Sequence, residues 1–551
     1  MLDSTIFGVG MILSSNNTNI KLNNLNTLII TDEIMITGIT ISATQPNINN
    51  KVFGSEFIIY ANNKPVINGY VVDKGNQAVF ILDPNKTETI STPLAGELKI
   101  VTKEPVKVKY EIMNRDNQDK VDVSKISNEF LTNNVIDIYG LYENFSNIVR
   151  VIGYNSYDNI VFSYNMKIQT DNVVTEEYEN DKVLNVKINN SNNKGWFITH
   201  YKDALYPGML IDEDGYVRWV MKNTTVNYGF PVSVIEDNVI EIVPYRMDTV
   251  KYYSFTGKEY LDKRISLDTI GYQVHHDVYH KNDGNCLIVA QKTGAATIED
   301  IVLEYNPTSK EIVNTWDFKQ AFESMERKII STGYSSEDWL HINSVWYDSR
   351  DNTIIISARH QGVIKATYPD NEGNFTILWW LTPHIQVQET NPTLLNKLLQ
   401  PLDKNGDIIT DGNVKLGNTY HEDFEWNRGQ HSAVLLKNGN ILLYDNGNDR
   451  PYVKSGEEYS RLVEYKIDEK TMTVQQVHQY GRELGLEMYS WFRSNVLQFD
   501  NLNYFINSAS VTSKLDIKEI DENNNLLYDA RGLWINYRIY KQKIFDEHYN
   551  N

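Results

Sequence analysis

One unit keeps returning from about residue 175 onward, and no other feature restricts the fold so much. Each copy begins at a polar or histidine residue, runs through a short strand, an Asn-Gly or Asp-Gly type of turn and an apolar strand, and continues into a strand carrying Glu-Tyr or Glu-Ile-Asp. HHDVYHKNDGNCLIVA followed by IVLEYNPTSKEIVNTWDF is one copy, HINSVWYDSRDNTIIISARHQ followed by VIKATYPDNEGNFTILWWL a second, and QHSAVLLKNGNILLYDNG followed by SRLVEYKIDEKTMTVQQVHQY a third. Weaker copies are MLIDEDGYVRWV, NVIEIVPYRMDTVKYYSF and SNVLQFDNLNYFINSASV with IKEIDENNNLLYDA. Asn438-Gly439 and Asp283-Gly284 between apolar runs are hairpin turns. A repeated unit that cannot bury its own face is buried by its neighbours. Six imperfect four-stranded units predict an all-β fold with a six-bladed β-propeller over residues 173–551.

The segment before it has a different texture. Residues 1–172 alternate apolar and polar positions in short runs such as TLIITDEIMITGITIS, ELKIVTK and NIVFSYNMKIQT, which predicts an amino-terminal β-sandwich domain. Ile6 to Leu13 reads as a first strand rather than a signal peptide, since no basic residues precede it and no small-residue cleavage site follows. A helical turn is expected over Asn134 to Asn144. The polar stretch TEEYENDKVLNVKINNSNNKG reads as a connector between the two domains. Helices are expected at Phe318 to Lys328 and, inside the long insertion before GQHSAV, at Thr393 to Leu402.

A formal charge of −20 disfavours nucleic acid and anionic membrane as partners. No apolar run approaches the length of a membrane span. Cys286 is the only cysteine, so no intrachain disulfide can form, and its apolar strand reads as a buried site.

Three copies of the unit start with a histidine: His276, His341 and His431. In a propeller the first strand of each blade lines the axis, so these starts converge although they are far apart in sequence. Side-chain alternation puts His341 and Asn343 on one face of their strand and turns His275 away from His276. Arg359 lies on the strand after the turn of the His341 unit, in IIISARHQ. A lone histidine at a strand start is more often a satisfied structural group than a catalyst; three at equivalent starts, with a guanidinium, make a site. The remaining histidines, His360 and His280 among them, carry no such claim, and Trp379-Trp380 reads as core or pocket wall. Three imidazoles could hold zinc with an open position, but Arg359 beside them disfavours a second cation. No metal or cofactor is expected. A metal-dependent hydrolase and a non-catalytic binding propeller are the alternatives these residues leave.

The segments DWLHINSVWYDSRDNTIIISARHQGVIK, GQHSAVLLKNGNILLYDNGNDR and YSRLVEYKIDEKTMTVQQVHQYGRELG resemble the bacterial arylsulfate sulfotransferases, which use phenolic sulfates as donors. That resemblance implies a phenolic sulfate donor, a phenol acceptor, a homodimer, an extracytoplasmic (periplasmic or secreted) location and a ping-pong reaction through a sulfated histidine. Carried over by position, it makes His431 in GQHSAV the nucleophile, with His341 and Asn343 in LHINSV binding the sulfuryl group. Arg359 in SARHQG becomes the anion-binding arginine and His276 in VHHD a further active-site histidine. Tyr164 in VFSYNM corresponds to a pocket tyrosine. The chain departs from the best-known branch in lacking a disulfide-bonded cysteine pair in the insertion, and in YSWFRS, where Arg493 stands in place of a threonine in the substrate pocket.

These residue types suit the chemistry. Sulfuryl transfer, like phosphoryl transfer, needs in-line attack and donors on the equatorial oxygens. A neutral imidazole can attack sulfur and hold the group, splitting one transfer into two steps. Arg359 and Asn343 can donate to the oxygens, and a protonated His341 or His276 can give a proton to the departing phenolate.

Overall fold

The computed structural model describes residues 90–548 apart from 175–181, 202–205, 224–228, 236–237, 325–336 and 385–391, together with strand segments before residue 90. The described chain is nearly all β, arranged in many antiparallel sheets. Three consecutive sheets carry the histidine-led units. Their strand orders follow the chain: Tyr272–His280, Cys286–Lys292, Ile301–Asn306 and Glu311–Asp317 in one; Ile342–Asp348, Thr353–Ala358, Gly362–Thr367 and Ile377–Leu381 in the next. The third runs His431–Leu435, Ile441–Asp445, Arg461–Asp468 and Thr473–Tyr480. The second strands, Thr353–Ala358 and Ile441–Asp445, are buried along their whole length. Both of their faces are covered by neighbouring sheets, which is why they read as unbroken apolar runs rather than alternating ones. Leu287, Val289 and Trp316 of one sheet pack with Ile342, Ile354 and Ile356 of the next. Ile355, Val363 and Trp379 continue onto Ala433, Ile441 and Val463. Trp379 and Trp380 are therefore core.

The chain ends lock the array. Leu184–Asn189, expected as connector, is a strand that pairs with Leu526–Gly532 and completes the last sheet. Its alternating LNVKIN has the period of a strand, and a partner more than 300 residues away supplies the pairing. Tyr540–Gln542 in turn pairs with Trp196–Tyr201 of the first sheet. Before these, the long strand Gly96–Met113 runs through a nine-stranded network, pairing first with Asn76–Leu82 and Leu131–Ile138, then with Ser146–Tyr154. Glu547–His548 joins that network through Val121–Val123. One apolar cluster contains Leu98 and Val149 from it together with Trp196, Trp219 and Phe505 from the later sheets, so the two parts share a core.

Several local expectations are corrected. Of the stretch Ile6 to Leu13, Ile6–Phe7 and Ile12–Ser15 are strand, paired with Thr27–Leu28 and Thr18–Lys21, and residues 8–11 lie outside the described residues. The helical turn at Asn134 to Asn144 is absent, because Leu131–Ile138 is a strand against Gly96–Met113. The helix at Thr393 to Leu402 shrinks to the single turn Pro392–Leu395, and Gln400–Leu402 is a strand parallel to Thr473–Gln475. Pro401 cannot donate to a helix and drives Gln400 extended, but it is tolerated at a sheet edge. Phe318–Ser324 is helical as expected, and the rest of that stretch lies outside the described residues.

Candidate active site

A register slip lies beside each of the three histidines, although only His431 opens its strand: His341 precedes Ile342–Asp348 and His276 falls in the middle of Tyr272–His280. The register of Tyr272–His280 on its partner slips between Val274 and Val278, that of Ile342–Asp348 between Ile342 and Ser344, and that of His431–Leu435 between His431 and Val434. A left-handed, non-glycine residue sits in or beside each slip: His276 (φ 51°), His341 (φ 56°) and Ser432 (φ 54°), with Arg493 (φ 62°) and Ser494 (φ 85°) before the following sheet. Such conformations cost on the order of 1–3 kcal/mol each and persist where surrounding contacts over-determine them. Those contacts are visible. Asn343 Nδ2 donates to the Gln430 carbonyl at 2.9 Å and its Oδ1 accepts from Ser432 N–H at 3.1 Å, gripping the backbone on both sides of His431. Gln430 Nε2 donates to the Ala358 carbonyl at 2.8 Å. The bulges re-aim side chains, as bulges beside active sites do.

The consequence is a ring of imidazoles. Ring centroids of His276 and His341 are 5.0 Å apart, and those of His341 and His431 6.5 Å. His275, expected on the opposite face, belongs to the cluster, with its ring centroid 4.0 Å from that of His276. The slip after Val274 cancels strand alternation, so consecutive residues converge. Glu299, which the sequence reading missed, is the hub. Its Oε1 lies 2.7 Å from His275 Nε2 and 3.2 Å from Arg246 Nη2; its Oε2 lies 3.1 Å from His276 Nε2 and 2.9 Å from His341 Nδ1. Asp338 also faces His341 Nδ1, at 2.9 Å. His360 joins at a ring-centroid distance of 5.3 Å from His341. Of this cluster, His276 and His341 had a signal in the sequence, as unit starts; His275 and His360 had none, and an acid in GAATIED or SSEDW looks like any solvated loop residue.

His431 has a defined tautomer. Nδ1 faces two acceptors, Asn446 Oδ1 at 2.8 Å and the Gly429 carbonyl at 3.1 Å, so it carries the proton. Asn446 cannot be flipped without loss, since its Nδ2 donates to the carbonyls of Ser490 and Arg493. Nε2 accepts from Arg493 N–H at 3.2 Å and therefore presents a lone pair. Arg493 thus meets His431 through its backbone, while its guanidinium donates to the Asn536 carbonyl at 3.3 Å. Arg359 N–H donates to the His341 carbonyl, and its Nη2 donates to the Trp491 carbonyl at 3.3 Å. With Gly429, Gln430 and Arg428 it lines a pocket of about 210 Å³. Tyr164 lies in the strand Ile160–Gln169 with its backbone opposite Val151; its side chain is outside the described residues.

The imidazoles differ in charge. Burial, helped by the Arg359 guanidinium, holds His431 well below the ordinary imidazole pKa. Burial and the neighbouring His275 do the same to His276. At His341 burial pulls down too, but Glu299 and Asp338 outweigh it and push the ring up to about 9. Burial would raise Glu299, yet His341, His275 and His276 hold it well below the usual carboxylate range. At neutral pH the site therefore holds a neutral His431 and a protonated His341.

Two groups, His275/His276/Glu299 and Asp338/His341/His360, bring potential cation ligands within 4.8 Å of one another. Ligands about 2.0 Å from a tetrahedral zinc would stand roughly 3.3 Å apart. The 2.7–2.9 Å separations at Glu299 and Asp338 are instead those of N–H donating to carboxylate, and Arg246 already occupies Glu299 Oε1. Activity is expected to survive a chelator unchanged. Loss on chelation with recovery on adding a divalent ion would refute the hydrogen-bonded reading.

A family profile described as arylsulfotransferase (ASST) matches residues 180–531. An arylsulfate sulfotransferase AssT of Lelliottia amnigena is 34% identical over 222 residues, which cover 39% of this chain and 35% of that protein. One of Escherichia coli O6:H1 is 40% identical over 156 residues, 28% of this chain and 24% of that protein. The chain thus spans about a third and about a quarter of the lengths of these relatives. Among solved structures, a protein of unknown function from Bacteroides caccae overlays 63% of this chain and 98% of its own at 11% identity, with a TM-score of 0.37.

Proposed function

The chain belongs to the arylsulfotransferase family, and from that premise we propose that it moves a sulfuryl group from a phenolic sulfate to a phenol through a sulfated His431. The observation that carries the reading is the lone pair on His431 Nε2, kept by the Asn446 and Arg493 contacts, 6.5 Å in ring-centroid distance from an imidazole that burial does not deprotonate. In the first half-reaction the Nε2 lone pair forms the N–S bond as the S–O bond to the phenol breaks. The electron pair leaves with the phenolate oxygen, which takes a proton from His341. In the second, the acceptor phenol returns a proton to His341, its oxygen attacks sulfur, and the N–S pair goes back to His431. Arg359 stabilises the equatorial oxygens throughout. His276 shapes the wall beside His341, and Asn343 acts through the backbone of His431. Arg493 and Tyr164 are assigned to the aryl side of the pocket.

The rest of the reading follows the same premise. The successive sheets, closed by Leu184–Asn189 and Tyr540–Gln542, support a six-bladed propeller over 173–551, preceded by a sandwich-like domain over 1–172. A homodimer working outside the cytoplasm is the arrangement we assign. No described helix is long and apolar enough to cross a membrane.

The test is a chromogenic aryl sulfate with and without a phenol acceptor. Release that depends on phenol identifies transfer, whereas equal release into water alone would make the protein a sulfatase. The pH profile should be bell-shaped with a broad top. His431 must be unprotonated, and because its pKa is lowered the acid limb falls below 6.5. His341 must be protonated, so the alkaline limb falls near 9.

A further inference from the structure

Four nitrogen groups converge on one buried carboxylate, Glu299, and one of them, His341, also stands beside His431. His275 and His276 are buried, and each turns Nε2 to Glu299. Their Nδ1 atoms are buried without a hydrogen-bond partner, which at His276 fits a neutral ring with the proton on Nε2, while His275 Nε2 also faces the Arg246 Nε donor at 3.5 Å. Arg246, partly exposed, occupies the outer side of Oε1. His341 alone presents Nδ1, at 2.9 Å, which leaves its Nε2 on the far side of the ring from both carboxylates. The main chain couples the two residues as well: Ile342 N–H donates to the Glu299 carbonyl at 2.9 Å, and Ile298 N–H to that of Glu337. Glu299 itself is held at φ 57°.

We infer that Glu299 is the positioning residue that fixes His341 as an imidazolium with Nε2–H turned away from the carboxylates, and so makes His341 the proton carrier of both half-reactions. This rests on the sulfotransfer reading. Arg246 Nη2 and His276 Nε2 hydrogen-bond to the carboxylate, and the single Nδ1–H of His341 lies between Glu299 and Asp338, so Glu299 acts on His341 through charge and orientation. Asp338 is the second anion on the same Nδ1. The groups facing His341 from other elements are His276, His360 and His431, all with lowered pKa values, and none of them can substitute as the acid at neutral pH. Proton flow closes within the cycle. The proton His341 gives to the departing phenolate is the one the acceptor phenol returns, and no net proton is exchanged with solvent.

The experiment uses the full chain and its Glu299→Gln variant, which keeps size and main-chain bonds. Sulfation of His431 is followed in single turnover with aryl sulfates ranging from nitrophenyl, whose phenolate leaves unaided, to alkylphenyl, whose phenolate needs a proton. Glu299→Gln should lose a few-fold with nitrophenyl sulfate and on the order of 100- to 10,000-fold with alkylphenyl sulfate, the size of a lost general acid. Its alkaline limb should move to lower pH, since the imidazolium loses an anion. Asp338→Asn, less buried, should show the same trend at smaller size. A uniform loss across leaving groups, or an alkaline limb that stays put in both variants, would overturn the assignment. A wild-type chain idle with every aryl sulfate would instead remove the sulfotransfer reading beneath it, a result the leaving-group comparison cannot mimic.

Discussion

Replacing His431 by Ala is expected to abolish transfer, and the wild-type chain quenched after donor alone is expected to carry one sulfuryl, on His431. The expectation follows from atoms already placed. A nucleophile needs an accessible lone pair; burial and Arg359 keep His431 unprotonated, and Asn446 puts its single proton on Nδ1. Among the described residues Nε2 accepts one hydrogen bond, from a backbone N–H at 3.2 Å, long enough to yield to sulfur. His341 is protonated and cannot take the role; His276 has its Nε2 on Glu299 but keeps a buried Nδ1, and peptide mapping separates it from His431. The Ala variant should still fold: His431 lies outside the apolar clusters, and losing its three hydrogen-bond contacts costs about 1–3 kcal/mol each at most. Intact mass and peptide mapping under alkaline quench, because N-sulfation is acid-labile, give the readout. Label on any other residue, or turnover without label, would falsify the assignment.

How far the sequence foretold this site depends on the range of the signal. Hairpin turns such as Asn438-Gly439, and second strands buried on both faces, announce themselves within a dozen residues, so the repeated unit and its all-β character were legible. His276, His341 and His431 were legible for the same reason: each marks the start of a unit. The strand that completes the last sheet was not, because Leu184–Asn189 finds its partner at Leu526–Gly532 and nothing local distinguishes such a strand from a polar connector. In the insertion Pro401 was a readable warning against a helix. The site's electrostatics were the least legible part. Whether an imidazole is acid or nucleophile depends on Glu299, Asp338 and Asn446, which lie in other units and have no pattern of their own. The bulges matter equally. Strict alternation sends His275 away from His276, and only the slip after Val274 brings both onto one carboxylate. Asn343 shows the converse. Its position beside His341 was legible, but its amide is spent on the backbone flanking His431.

Arg359→Lys is expected to lower sulfation of His431 by about 100- to 1,000-fold, the usual cost of losing a preorganised donor to a developing anion. Two separable effects of Arg359 make the variant informative. Its charge helps keep His431 neutral, second only to burial, and Lys preserves that charge. Its planar fork anchors one Nη on the Trp491 carbonyl while the backbone beneath it is tied to the His341 carbonyl. The guanidinium plane is thereby set relative to both histidines. An ammonium on a flexible stem offers a point charge without that plane, so Arg-to-Lys exchange at such a site is not conservative. The acid limb of the pH profile should therefore stay where it is in Arg359→Lys although the rate falls. In Arg359→Met the limb should move to higher pH, because removing a cation lets His431 hold a proton more readily. The measurement is burst release of nitrophenol from donor alone, across pH, for the three proteins. A normal burst in Arg359→Lys would show that charge alone suffices and would defeat the orientational role; an unmoved limb in Arg359→Met would show that burial accounts for the whole lowering at His431.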